Sequence, residues 1–381
     1  MDIAAALTSP ILTVFLIGAL GYLVGAIKIK GVCLGTAAVL LVALVFGHFG
    51  AQVDANVRNI GLVCFVTSIG FIAGPRFFRN FKKNATSYIS LGVVIVLTSA
   101  IITVIIMKIS GMSVELTVGV MAGALSTTPG LAAAQEVSGE LADLATTGYA
   151  ITYPFSVIGI VLFVQLMPRI LKVDMAKERA AFEAADADTP LPRGGRIQIS
   201  EVAGFFAFFL AAALGLLLGA IHLPLPGGAE FSLGTTGGPL IMGLIFGHFS
   251  RIGAVDLRMP VESLKTFREF GLVLFLIGAG VSGGAGFIET LRAEGMMLFF
   301  YGAIITVLPM VVGYLFAAKV LKLSILNNLG AITGGMTSTP ALGTLISVAG
   351  TEDVASAYAA TYPIALVCIV LSIQFIAVIF Q

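Results

Sequence analysis

Two short stretches hold the residues of this chain best suited to chemistry. Ser126-Thr127-Thr128-Pro129 lies inside GALSTTPG, and Thr337-Ser338-Thr339-Pro340 lies inside GGMTSTPAL. Each sets three consecutive hydroxyls directly before a proline, in a segment otherwise apolar and Gly-rich. Proline lacks a backbone donor and ends or kinks the helix before it. Carbonyls freed in this way within hydrocarbon must be satisfied by protein, water or ligand. A helix restarting at each proline begins with unsatisfied N–H groups and a positive dipole end, which suits a carboxylate. The hydroxyls add donors that carry no charge. Two such tips suit a ligand with two carboxylates. The competing reading is a structural kink whose Ser and Thr bond back to carbonyls.

Other residues are candidates of lower rank. Tyr153-Pro154 and Tyr362-Pro363 read as unwound points of the helices that follow, with phenols available to the same cavity. The plainer alternative is a kinked packing helix. Arg58 and Arg268 read first as interfacial anchors and second as groups that steer a ligand. Glu136 either lines a path or sits at an aqueous mouth. Asn327 and Asn328 read as a helix cap or loop. No Asp, Glu, Lys or His falls clearly mid-span, so no proton relay is evident. Cys33, Cys64 and Cys368 have no CxxC spacing, and His48, His222 and His248 have no zinc-type spacing. Neither a cofactor nor a metal is expected. No Walker motif, nucleophile elbow or HExxH points to an enzyme.

The elements that must position these residues are membrane helices. The chain has 381 residues, 58% hydrophobic and 11% charged, with a mean hydropathy of +1.05. A soluble protein carries roughly 25% charged residues. The apolar runs match the ~20 residues of a spanning helix and lack the alternation of a membrane barrel. A net charge of +1 gives no bulk basic surface, so no nucleic-acid partner is expected. The first apolar run follows Asp2 with no Lys or Arg before it, and reads as a retained span.

Six apolar elements recur in each half, over 10–27, 34–49, 58–74, 86–108, 113–136 and 143–170, then 201–221, 234–249, 268–288, 294–318, 325–348 and 353–380. This divides the chain into a membrane repeat over 1–170, a polar linker over 171–200, and a second repeat over 201–381. LVGAI at Leu23–Ile27 matches LLGAI at Leu217–Ile221, and FGHF at Phe46–Phe49 matches FGHF at Phe246–Phe249. Arg58, Gly61, Phe65, Gly70 and Gly74 match Arg268, Gly271, Phe275, Gly280 and Gly284. Thr152-Tyr153-Pro154 matches Thr361-Tyr362-Pro363. Several matches in one order mean duplication.

Charge sets the expected topology. If both broken elements are re-entrant, each half crosses five times. With the termini outside, 18 of the 21 Lys and Arg residues then fall inside and 3 outside. An odd number of crossings per half inverts the second repeat, as in many secondary transporters. The expected fold is all-α and polytopic: two inverted repeats, each of five transmembrane helices plus one re-entrant broken element. The Gly-spaced elements at 61–74 and 271–284 are expected to hold the broken elements in one rigid body. Those at 86–108 and 294–318, apolar all round, are expected to face lipid or a partner subunit.

These motifs resemble the aspartate:alanine exchanger family, which includes bacterial succinate transporters. The resemblance covers both membrane halves. It implies a secondary carrier exchanging small carboxylates across the bacterial cytoplasmic membrane, with an elevator-type motion and a homodimeric assembly. The candidate substrate-binding residues, read from the motifs themselves, are Ser126, Thr127, Thr128, Pro129, Tyr153, Thr337, Ser338, Thr339, Pro340 and Tyr362. Many family members carry large soluble regulatory domains between the halves, whereas only the short linker stands here. An ion-coupled symporter is the alternative within the same class, and an anion channel or sensor is the alternative outside it. The topology makes a direct prediction. A single cysteine at Ala184→Cys should react with an impermeant thiol reagent only after the cytoplasmic face is opened. Labelling of intact cells from outside would overturn the inverted arrangement.

Overall fold

A computed structural model describes residues 9–27, 36–186, 197, 204–224, 230–284 and 296–380. The first half runs α1 Pro10–Gly25, α2 Ala37–His48, α3 Ala55–Ser110, α4 Val114–Ala124, α5 Thr128–Ser138 and α6 Ala142–Ile170. A surface helix, α7 Met175–Asp186, begins the linker. The second half runs α8 Phe205–Gly219, α9 Gly234–Phe249, α10 Val261–Gly284, α11 Met296–Lys319, α12 Ile325–Gly335, α13 Thr339–Ala349 and α14 Val354–Phe380. Among the described residues the strands are pairs of two-residue segments, Leu223–Pro224 with Glu230–Phe231 and Arg251–Ile252 with Val255–Asp256. The chain is an all-α multi-pass membrane protein. Five stretches are long and apolar enough to span: Ala55–Pro75, Asn84–Ser110, Leu144–Ile170, Met297–Lys319 and Val354–Phe380.

Both broken elements appear as half-helix, break, half-helix. The halves α4, α5, α12 and α13 have 11 residues each. At about 1.5 Å per residue each is ~16 Å long, half of a hydrocarbon core.

Two expectations about helix continuity need correction. The break expected between 74 and 86 is absent, because α3 is one helix of 56 residues with Pro75 inside it. The charged run after Pro75 interrupts hydropathy but not helicity, since Arg and Lys are good helix formers. Tyr153-Pro154 and Tyr362-Pro363 are also not unwound, for α6 and α14 continue through both prolines.

The helices sort into two bundles. The first holds α1, α2, residues 55–75 of α3, α8, α9 and α10. The second holds residues 84–110 of α3, α4 to α6 and α11 to α14. Each half of the sequence thus gives its early elements to one bundle and its late elements to the other. This corrects the expected division of labour. Gly70 and Gly74 receive α9, and Gly280 and Gly284 receive α2. The broken elements are held instead by residues 84–110 and α11. Tyr88 donates to Asn327 Oδ1 at 3.0 Å, and Asn328 Nδ2 donates to the Tyr314 carbonyl at 3.2 Å. These asparagines lie inside α12, with Ser324 as its cap. Leu97, Ile101, Ile105 and Ile109 still expose one apolar face of α3, as a lipid-facing helix should.

Contacts also fix direction. Arg58 meets Gly278, Gly61 meets Phe275 and Phe65 meets Gly271. As numbers rise along α3 they fall along α10, so these two repeat-related helices are antiparallel. Leu40 and Leu44 of α2 meet Gly280 and Gly284, and Leu240 and Leu244 of α9 meet Gly70 and Gly74. α2 therefore follows α10 and α9 follows α3, so α2 and α9 also oppose one another.

A Cβ added at Gly61 would fall 2.6 Å from the Phe275 nitrogen, and one at Gly271 2.6 Å from the Phe65 nitrogen. Backbone cannot yield as a side chain can, so Gly61→Ala should cost about 1–3 kcal/mol. It should visibly lower the thermal unfolding midpoint in detergent. Gly159→Ala is the control, because its Cβ would meet side-chain atoms at 3.5 Å or more. An unchanged midpoint for Gly61→Ala would refute close backbone packing at this crossing.

Candidate functional site

The two breaks meet, and the way each helix ends explains how. α4 closes with Ser126 N–H donating to the Gly123 carbonyl at 2.9 Å and Thr127 N–H to the Ala122 carbonyl at 3.1 Å. α12 repeats this, with Thr337 N–H on Gly334 and Ser338 N–H on Thr333, both at 3.0 Å. This pair of bonds is the Schellman ending, whose turning residue is left-handed and usually Gly. Here the turning residues are Ser126 at φ 50° and Thr337 at φ 49°. A left-handed L-residue costs roughly 1–2 kcal/mol, and a β-branched one is an outlier.

The hydroxyls supply the reason. Ser126 Oγ donates to the Met336 carbonyl at 3.2 Å, and Thr337 Oγ1 donates to the Leu125 carbonyl at 2.8 Å. Each break therefore bonds the last carbonyl of the other. Thr306 of α11 takes the Ala124 carbonyl at 3.0 Å. Sequence reasoning missed this use. The signal was present in a hydroxyl residue standing where a Gly-rich segment could have supplied glycine.

The remaining hydroxyls differ between the breaks. Thr127 caps α5, accepting from Gly130 N–H at 3.2 Å. Thr339 Oγ1 lies 3.3 Å from the Tyr358 hydroxyl. Ser338, the N-cap residue of α13, makes no side-chain cap bond. Its residue is 0% exposed, and its Oγ has no partner among the described residues. The α13 N-terminus thus offers a buried hydroxyl and first-turn N–H groups without a side-chain cap. Thr128 and Pro129 open α5, and Pro340 lies in the first turn of α13. The Thr128 side chain lies outside the described residues.

The tyrosines lie close by. Tyr149 and Tyr153 stack with ring centroids 5.1 Å apart, and Tyr358 and Tyr362 sit at 5.5 Å. The Tyr362 ring reaches the other bundle, where a Cβ added at Gly237 of α9 would fall 3.6 Å from its Cε1. Glu136 is exposed, near the far end of α5 from its break.

A cavity of about 810 Å³ runs between the bundles. Phe246, Arg258, Lys265, Arg268 and Glu269 line one wall, and Gly343, Ile346 and Glu352 line the other. It reaches Gly343, one helical turn beyond Pro340. Arg268 pairs with Glu352 across it, with side chains 16% and 19% exposed. Glu269 accepts from Tyr22 at 2.8 Å and Thr36 at 3.0 Å. Arg268 is therefore a wall residue paired across the bundles. Among the described residues no cluster of His, Cys, Asp and Glu could hold a metal ion.

Residues 13–169 and 207–378 match the Asp-Al_Ex family, described as a predicted permease membrane region. The chain belongs to this permease family. The permease is 29% identical to an uncharacterized transporter of Bacteroides fragilis, over 97% of this chain and 98% of the relative. It is 26% identical to an uncharacterized transporter of Rhodopirellula baltica, over 95% and 98%. These alignments run over 526 and 523 positions against 381 residues here, so the relatives carry stretches with no counterpart in this permease.

The cross-bonded breaks give a stability signature. Thr337→Val keeps the shape and leaves the Leu125 carbonyl unpaired, which should cost about 1–3 kcal/mol. Thr337→Gly loses the same bond but relieves the backbone, so its loss should be smaller. Ser338→Ala removes a hydroxyl with no partner and should leave the unfolding midpoint unchanged. Equal midpoints for parent and Thr337→Val would refute the cross-bond.

Proposed function

We propose that the permease is a secondary carrier that exchanges small carboxylates by alternating access between its two bundles. The observation that carries this reading is the buried, unpartnered Ser338 at the start of a half-helix, about a turn and a half from a cavity between the bundles. Uncapped N–H groups, a positive helix end and a neutral hydroxyl suit a carboxylate. Thr127 already caps α5, so α13 is the stronger of the two anion sites. Tyr362, Thr339, Pro129 and Tyr153 shape the space around it. Aspartate, alanine and C4-dicarboxylates such as succinate are the substrates of first choice.

The antiparallel course of α3 against α10, and of α2 against α9, supports inverted repeats. The contacts of repeat-related residues support alternating access. Tyr362 closes against Gly237 across the bundle boundary, whereas Thr36, next to the corresponding position in the first half, lines the open cavity. One side is closed where the other is open. Arg169, Lys172, Arg258, Lys265 and Arg268 all line cavities on that open side. By the positive-inside rule this is the cytoplasmic side, so the state is inward-facing. In an elevator motion the Arg268–Glu352 pair, which joins the bundles, must separate. The assembly is read as a homodimer in the bacterial inner membrane.

The test is counterflow in proteoliposomes. Vesicles preloaded with aspartate or succinate should take up labelled substrate far faster than empty ones. Ser338→Ala should weaken binding about 10- to 100-fold, the worth of one hydrogen bond to a charged group. Equal uptake in loaded and empty vesicles, driven by a proton or sodium gradient, would replace exchange with symport. Undiminished binding by a folded Ser338→Ala would remove the site from this position.

A further inference from the structure

A second cavity, of about 370 Å³, lies beside the first. Gln165, Arg169 and Lys172 line one wall, Thr344 and Ser347 of α13 another, and Thr36 closes it from the first bundle. Gln165 sits within the apolar span Leu144–Ile170 and is 6% exposed. Its Oε1 has no partner among the described residues. An amide acceptor left unpaired in an apolar span is costly, so the position calls for a donor from outside the protein. Gln165 and Arg169 lie four apart on α6 and so share one face, and Lys172, in the turn after α6, lines the same cavity, with the acceptor deep and the cations towards the linker.

The sequence repeats this feature. Gln374 on α14 stands to Gln165 as Tyr362-Pro363 stands to Tyr153-Pro154, each 209 positions on. A glutamine in corresponding places of both halves is what a carrier loading from either side would use.

We propose that this cavity is a loading station for a carboxylate that bears a hydrogen-bond donor on the adjacent carbon, an amine or a hydroxyl. The carboxylate meets Lys172 and Arg169, and the donor meets Gln165 Oε1. A dicarboxylate without that donor leaves Oε1 unpaired, so the station prefers substituted ligands. A site built to bond a donor rejects the analogue lacking it. This rests on the carrier reading above, yet uses residues separate from Ser338.

The experiment compares three C4 ligands that differ at one position: aspartate, malate and succinate. Calorimetry on purified permease should show aspartate or malate binding about tenfold or more tightly than succinate. Gln165→Leu should bring that ratio to about one. Gln165→Glu, which keeps an acceptor, should retain it. Ser338→Ala should leave that ratio unchanged. Gln165→Met serves as a second apolar variant should the leucine disturb folding, which the unfolding midpoint reports. A ratio near one in the parent, or one that survives both apolar variants, overturns the station and leaves the carrier reading standing. No binding of any of the three overturns both.

Discussion

A helix broken inside a bilayer must answer for every carbonyl it frees, because no water stands ready to take them. At the first break each freed carbonyl has a donor. Met121, Ala122 and Gly123 are met by backbone N–H groups of the turn. Ala124 is met by Thr306 and Leu125 by Thr337. At the second break the Ile332, Thr333 and Gly334 carbonyls are met by backbone N–H groups of the turn, and Met336 is met by Ser126. Each unpaired carbonyl would cost about 1–3 kcal/mol, against a total stability of ~5–15 kcal/mol. Neither break could stand without the other. The strained backbone at Ser126 and Thr337 persists because only a side chain with a hydroxyl at that turn reaches the facing carbonyl.

The two bundles follow from this constraint. The crossing needs rigid support on the side away from the cavity, and residues 84–110, α6, α11 and α14 supply it. The bundle of α2, α9, α10 and residues 55–75 is knit separately through its own glycines. Polar and small groups meet at their boundary, as in Arg268 with Glu352 and Pro129 against Gly234, and apolar ones pack there too, with Leu272 of α10 against Gly343 of α13.

Much of this was legible in the sequence. Apolar run lengths gave the elements, and the hydroxyl-proline motifs located both breaks. What misled was reading hydropathy as secondary structure: Arg and Lys after Pro75 looked like a loop although they favour helix. Tyr-Pro pairs looked unwound although the surrounding helix tolerates one missing bond. The roles of the hydroxyls could not be read at all. Ser126, Thr127, Ser338 and Thr339 look alike along the chain. Only the fold shows that one reaches across, one caps its own helix, one meets a tyrosine and one is left alone. Gln165 went unnoticed because an uncharged residue in a hydrophobic run barely moves a hydropathy average.

The sharing of helices between bundles bears on how such a chain arose and how it assembles. Each half contributes its first three elements to one bundle and its last three to the other, with α3 passing between them. Neither half could bury its own surfaces if made alone. On the inverted-repeat reading proposed above, a single-repeat ancestor would have needed a second copy, threaded through the membrane the other way up, before either bundle existed. Fusion would then have fixed in one polypeptide a pairing that had depended on two oppositely inserted chains finding each other. During synthesis the first half must likewise wait, with its glycine grooves and its broken helix unfilled, until the second half emerges.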